Sequence, residues 1–215
     1  MDQQLLFLIN HTWTHPAVDR VMALVSSFDF WWPFLLLGVV VAAVFGGFRW
    51  RVFLLAAGIA VGITDGLVVD TIKKAVGRPR PNDALEGVRV VDLAKTKPRV
   101  LALAEPLRVQ YSQARIQSVG GNSFPSGHAA NNFAVAAVAT VFFRRWGWLV
   151  FLSALLVSYS RVYVGSHWPL DVLVSALIGT GLGTLTAMAL ESLWRRWGKK
   201  WLPWLHEKHP SLLTA

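Results

Sequence analysis

Five stretches of this chain run for fifteen to nineteen residues almost without charge. They cover 30–48, 52–69, 129–143, 146–160 and 172–190, and the single charged residue among them is Asp65. Segments of roughly 17–25 apolar residues fit the hydrocarbon core of a bilayer. The two shortest stretches gain the missing length from polar residues at one end. The expected fold is all-α: an integral membrane helical bundle of about five spanning helices, near 30–48, 52–75, 127–143, 146–163 and 169–193. Within a bilayer every backbone polar group must be satisfied internally, and uninterrupted helices do this. Charge supports the assignment: 15% of residues are charged, against about 25% in soluble domains. A soluble, very apolar helical protein is the weaker alternative.

The 215 residues read as one membrane domain, 1–215. Residues 1–28 alternate apolar and polar groups, with His11, His15, Pro16, Asp19 and Arg20 interrupting Leu5 to Ile9. They are expected to lie as short interfacial helices; a sixth span there is opposed by this polarity. MDQQLLFLIN lacks the basic n-region of a signal peptide. Residues 76–125 form a long loop that holds Pro79, Pro81, Pro98 and Pro106 and the Gly120-Gly121 pair. Loops this long within a domain usually serve function; a short helix is expected near 101–113. The tail, 193–215, is basic and spaces tryptophans by three, four and three before Pro203, as an interfacial helix would.

The net charge of +9 does not indicate nucleic acid, because the basic residues sit at helix ends and in the tail, not as one stripe on a soluble face. They suit anionic lipid headgroups. The chain has no cysteine, which excludes disulfides and thiolate metal sites. His11 and His15, four residues apart, lack a nearby carboxylate motif and read as surface residues.

Three polar motifs break the apolar pattern: Lys73 to Pro81 (KKAVGRPRP), Pro125 to His128 (PSGH) and Ser160 to Asp171 (SRVYVGSHWPLD). Cationic and titratable groups beside membrane helices are costly and read as functional. Helix alternation places all three on one membrane face. The turns at 49–51 and 144–145, the tail, and Trp50, Trp146, Trp148, Trp194, Trp197, Trp201 and Trp204 fall on the other, as an aromatic belt would. That plain face holds nine of the 21 basic residues. Of the other twelve, five belong to or adjoin the motifs and six are spread along the long loop; discounting these makes the plain face cytoplasmic.

The motif chemistry is that of a phosphate pocket. Lys73 and Arg80 stand seven residues apart, and prolines on both sides fix the backbone around Arg80. A guanidinium presents a planar fork to phosphate oxygens, and Arg161 adds a third cation. Ser126 and Gly127 lie where a helix begins, with free N–H groups and positive partial charge for an anion. His167 has Asp171 at i+4, able to fix the imidazole tautomer and make its other nitrogen nucleophilic. His128, on another helix start, can protonate a leaving oxygen. Two histidines and three cations can transfer a phosphoryl group without a metal, and the few nearby carboxylates do not resemble a two-metal site. Taken singly the parts read blandly: Lys73 and Lys74 as snorkelling lysines, PSGH as a helix cap, His167 with Asp171 as a structural pair. Their co-occurrence on one face tips the balance. Asp65 either tunes the pocket or bonds another helix, Asp70 pairs with Lys73 or Lys74, Asn131 and Asn132 join helices, and Ser160 has no evident chemical task.

In these motifs the sequence resembles the type 2 phosphatidic acid phosphatase family (PAP2), which includes membrane lipid phosphatases and soluble vanadium haloperoxidases. The family pattern K-x6-RP, PSGH and SR-x5-H-x3-D is met at Lys73 to Pro81, Pro125 to His128 and Ser160 to Asp171 without a departure. Many members have six spans, one more than expected here. The resemblance implies a covalent phosphohistidine on His167 and leaving-group protonation by His128. It implies phosphate binding by Lys73, Arg80, Ser126, Gly127 and Arg161, no metal cofactor, and a site on the periplasmic or outer face of a bacterial-type inner membrane. The implied partners are a phosphorylated lipid substrate and the surrounding lipids; oligomeric state is open. Undecaprenyl pyrophosphate is slightly preferred as substrate because the chain is short, with phosphatidylglycerophosphate, phosphatidic acid and lipid A 1-phosphate as alternatives. A haloperoxidase is opposed by the apolar spans, and a lipid-binding or transport protein by the complete His128, His167 and Asp171 set.

Overall fold

A computed structural model describes residues 1–113 and 121–213. Helices dominate, in the order α1 (Asp2–Phe7), a π-helical turn Leu8–Thr12, α2 (Pro16–Ser26), α3 (Phe28–Phe45), α4 (Phe48–Val61), a π-helical stretch Gly62–Val69, α5 (Asp70–Val76) and α6 (Pro81–Ala84). After the long loop come α7 (Gly127–Gly147), α8 (Val150–Tyr163), α9 (Pro169–Trp201) and α10 (Pro203–Lys208). α4, the π stretch and α5 continue one another, so all five expected helices form. Among the described residues, α3, the run from Phe48 and α9 are long and apolar enough to cross a membrane.

The other two miss that standard for different reasons. α8 is apolar but has only fourteen residues. α7 is long enough, but His128, Asn131, Asn132 and the Arg144-Arg145 pair lower its hydropathy; its inward side is small, with Ala129, Ala130, Ala134, Ala136, Ala137 and Ala139 all buried. A helix enclosed by others needs small side chains that admit its neighbours, not bulky ones that face lipid. α3 shows the opposite: it buries only Phe30 and exposes Phe34, Leu35, Leu36 and Leu37.

α7 and α9 pack backbone to backbone and run parallel. A β-carbon on Gly179 would lie 2.1 Å from the Ala130 carbonyl oxygen, and one on Gly183 2.3 Å from that of Ala134. Glycines four apart on one helix thus face alanines four apart on the other, the close approach that drives helix association in lipid. α7 leaves helical geometry at Phe143 and Arg144, where the sequence placed its end.

Three segments differ from expectation. The long loop holds an antiparallel hairpin, β1 (Arg89–Asp92) with β2 (Arg108–Tyr111), registered Arg89 to Tyr111 and Asp92 to Arg108. The helix expected near 101–113 is confined to a 3-10 turn, Arg99–Leu103. The N-terminal segment is tied into the protein: buried Asn10 bonds the main chain of Arg89 and Tyr163, and buried Asp19 accepts from Tyr163 and Arg89. The tail folds back after Leu202. Glu191 on α9 accepts bonds from Ser211 and the Leu212 N–H, and Leu212 joins the core with Ala56, Ala60 and Ala187.

Candidate active site

The three motifs converge. α5 ends at Gly77, whose φ of +60° suits a residue without a side chain, and its N–H bonds the Lys73 carbonyl. The chain then runs beside the segment preceding PSGH: Gly121 N–H bonds the Gly77 oxygen at 3.2 Å and Ser123 N–H the Arg78 oxygen at 3.0 Å. A side chain on Gly121 would meet Arg78 and Pro79 main-chain atoms at 2.2 Å. The Trp168 indole N–H closes the third side, donating to the Pro79 oxygen at 2.9 Å.

His167 sits in the connection between α8 and α9, its N–H bonded to the Arg161 carbonyl, and is almost wholly buried. Its Nδ1 lies 2.8 Å from the main-chain oxygen of Ser123. The nearest Asp171 oxygen is 3.7 Å away, too far for a hydrogen bond. The proton on Nδ1 therefore goes to the Ser123 carbonyl, which leaves Nε2 with its lone pair. The spacing predicts that Asp171 does this directly; here its fully buried carboxylate instead organises the surroundings. It accepts from the Ser123 hydroxyl, from Trp168 N–H at 3.1 Å and from Arg78 at 2.6 Å. Its bond to Trp168 N–H also caps α9, with Pro169 opening the helix.

Burial is the main cause holding His167 below the ordinary imidazole range. The Asp171 carboxylate opposes this, and the charges of Arg161 and Arg80 reinforce it. His128, second residue of α7, is half-buried, and the charges of Arg161, His167, Lys73 and Arg80 all bear on its ring. The structure thus groups both histidines with the three expected cations.

Gly127, Lys73 and Asp65 meet at the start of α7. A β-carbon on Gly127 would stand 2.9 Å from an Asp65 oxygen and 3.6 Å from Lys73 Nζ. Together with Phe28, His128 and Asn131 they line a cavity of about 320 Å³. Asp65 lies in the π-helical stretch, a distortion that recurs at functional sites. Ser126 is engaged internally: its N–H bonds Ser175, and its hydroxyl accepts from Ala129 N–H at 3.5 Å. Arg161 donates to Ser26, while its buried Nε has no partner. Ser160 bonds the Val157 carbonyl within α8. His11 stands against Phe7, and the His15 ring caps α2. Among the described residues no three His, Cys, Asp or Glu cluster as metal ligands.

A second space begins at the same histidine. Val25, Phe28, Trp31, Leu35, Leu156 and Val157 line an apolar groove of about 370 Å³ that shares Phe28, His128 and Asn132 with the polar cavity. His128 stands at the junction.

Sequence reasoning missed Ser123, Ser175 and Asp2, and gave Arg78 no role of its own. Ser123 carries no local signal, because its position follows from the pairing of two chain segments more than 40 residues apart. Arg78 was visible as an extra cation two residues before Arg80.

Known proteins with similar sequences point the same way. A 65-residue segment is 45% identical to an undecaprenyl-diphosphatase of Sulfolobus acidocaldarius, covering 30% of this chain and 32% of that protein. The match thus spans about a third of that relative. A lipid A 4'-phosphatase of Bacteroides thetaiotaomicron is 26% identical over 185 residues, 83% of this chain and 72% of that one. The crystal structure of Aquifex aeolicus LpxE superposes with a TM-score of 0.60 at 27% identity, covering 87% of this chain and 94% of that one. Residues 49–195, which contain all three motifs, match the PAP2 superfamily, and the chain belongs to that family.

Proposed function

We propose that this protein is a membrane lipid phosphatase that removes phosphate from a lipid headgroup through a phosphohistidine on His167. One observation carries the reading: His128 stands between a polar cavity holding Lys73 and the Gly127 helix start, and an apolar groove fit for a hydrocarbon chain. A proton donor belongs at the bond between phosphate and leaving group, and a lipid phosphate laid across these spaces puts that bond at His128.

In the first step His167 Nε2 attacks phosphorus, and the bond to the leaving oxygen breaks as that oxygen takes a proton from His128. Lys73, Arg80 and Arg161 balance the charge on the phosphoryl oxygens, and the unpartnered Nε of Arg161 gains an acceptor. Gly127 opens the helix start to an oxygen; Ser126 supports it by fixing the turn. In the second step neutral His128 takes a proton from water, the water oxygen forms the new bond to phosphorus, and the P–N bond breaks. Inorganic phosphate leaves and both histidines are restored. No metal is required.

The relatives bear names of two substrate classes. We favour undecaprenyl diphosphate, because a long prenyl chain suits a groove lined by Val25, Phe28, Trp31, Leu35, Leu156 and Val157. Lipid A is the second reading, favoured by the likeness to LpxE over 87% of the chain. Phosphatidylglycerophosphate and phosphatidic acid complete the set. The site faces the periplasm or outside of a bacterial-type inner membrane, consistent with the basic residues of the opposite face. Phosphate release by purified protein in detergent, over these four lipids, tests the assignment. Release from at least one, lost in His167→Ala, is expected; equal release by the variant would overturn the mechanism.

A further inference from the structure

We infer that Asp2 and Arg78 position the catalytic centre, so that α1, outside the family-matched segment 49–195, is a working part of the active site. The inference rests on the phosphatase reading above. Arg78 divides its fork between two carboxylates: Nη1 lies 2.6 Å from Asp171 Oδ1 and Nη2 lies 2.6 Å from Asp2 Oδ2. Its guanidinium stacks 4.8 Å from the centre of the Trp168 ring. The second Asp2 oxygen accepts the Leu170 N–H at 3.0 Å. One carboxylate on α1 therefore holds both the arginine that grips Asp171 and the main chain beside Asp171.

The consequence follows from the donors around Asp171. Its charge is fully buried and is met by Arg78, the Ser123 hydroxyl and Trp168 N–H. The same Ser123 supplies the carbonyl that fixes His167. A displaced Arg78 lets the Asp171 carboxylate shift toward its remaining donors, and His167 loses its aim through Ser123. Asp2 restrains Arg78 against that shift. Lysine at 78 keeps the charge but cannot bridge two carboxylates with a rigid fork. Asp2 and Arg78 act through Asp171 and Ser123, not on the substrate.

The test uses the full chain, tagged at the C-terminus and purified in detergent, with phosphate release from undecaprenyl diphosphate and from phosphatidic acid. Asp2→Ala, Asp2→Asn, Arg78→Gln, Arg78→Lys, the Asp2→Ala/Arg78→Gln pair and His167→Ala are compared. The expected result is a kcat lowered about 10-fold or more in Asp2→Ala and Arg78→Lys, as for outer-shell residues elsewhere, with KM unchanged. The double variant should fall only slightly below Arg78→Gln alone, well short of the product of the single losses, because Asp2 acts mainly through Arg78 and otherwise holds only the Leu170 N–H. Asp2→Asn, which keeps an acceptor but not the charge, should lie between Asp2→Ala and wild type. Thermal unfolding midpoints identify loss of folding. Wild-type kcat in Asp2→Ala, multiplicative losses in the double variant, or activity losses that only track the unfolding midpoint would each overturn the inference. An active His167→Ala would instead overturn the phosphatase mechanism, so the two failures are distinguishable.

Discussion

The Nδ1 atom of His167 stands 2.8 Å from the main-chain oxygen of Ser123, and this contact, not a carboxylate, fixes the imidazole. The Ser123 side chain donates to Asp171, and its oxygen lies 3.5 Å from the same Nδ1. Ser123→Ala removes the hydroxyl and keeps the carbonyl. Its kcat should drop about 10-fold, the lower end for a supporting residue, while Asp171→Ala, which leaves Arg78 and Trp168 N–H without their acceptor, should fall much further. Steady-state rates on the best lipid substrate decide; equal losses would show that the hydroxyl is the critical bond.

Activity should persist below the pH at which an ordinary histidine titrates. In the proposed mechanism His167 attacks as the neutral ring, and burial, with Arg161 and Arg80, holds its pKa down. A nearby cation disfavours the protonated ring, so its removal raises the pKa. The acid limb of kcat/KM should therefore lie below about 6.5, the reference value, and move upward in Arg80→Gln. A limb that stays fixed or moves down would contradict this placement of Arg80.

Gly127→Ala should damage phosphate binding more than folding. Its β-carbon would come within 2.9 Å of Asp65 and 3.6 Å of Lys73 Nζ, inside the cavity assigned to the phosphate. A displacement of this size at a reacting centre can cost about 10²-fold, and inhibition by vanadate should weaken in parallel. Unchanged vanadate affinity would place the phosphate elsewhere.

Gly179→Ala and Gly183→Ala should loosen the bundle. Each β-carbon would collide with a main-chain carbonyl of α7, and overpacking of this kind costs about 1–3 kcal/mol. Lower thermal unfolding midpoints in detergent should register it; wild-type midpoints would show that the helices part easily.

Chelation should leave turnover unchanged on the proposed two-histidine mechanism, which routes no step through a metal. A strong loss with EDTA, reversed by a divalent ion, would contradict the metal-free mechanism.

The helices and the motif residues were legible because each leaves a local mark. Uncharged runs define α3, the run from Phe48, and α9, and Lys73, Arg80, His128, Arg161 and His167 interrupt them at fixed spacings. What stayed hidden depends on contacts distant in sequence. Ser123 matters because Gly121 lets two segments lie together, and Asp2 meets Leu170 across 168 positions. The hairpin gave no alternation to read: β1 has four residues, and β2 is exposed throughout. The tail reads as interfacial from its tryptophans, but Glu191, Ser211 and Leu212 fold it back through bonds no periodicity announces. α7 departs from the long-and-apolar pattern because His128, Asn131, Asn132 and the Arg144-Arg145 pair lie within it.

The glycine-to-alanine contacts between α7 and α9 reach beyond stability. His128 is carried at the head of one helix and His167 just before the head of the other, and the helices run parallel. The proposed nucleophile and proton donor thus ride on two rails that meet at Gly179 and Gly183, farther along both helices. A bilayer that thickens, thins or bends can tilt the pair as one rigid body, yet the gap between the two reacting rings stays the same. The proposed reaction would thereby be insulated from the mechanics of the membrane around it.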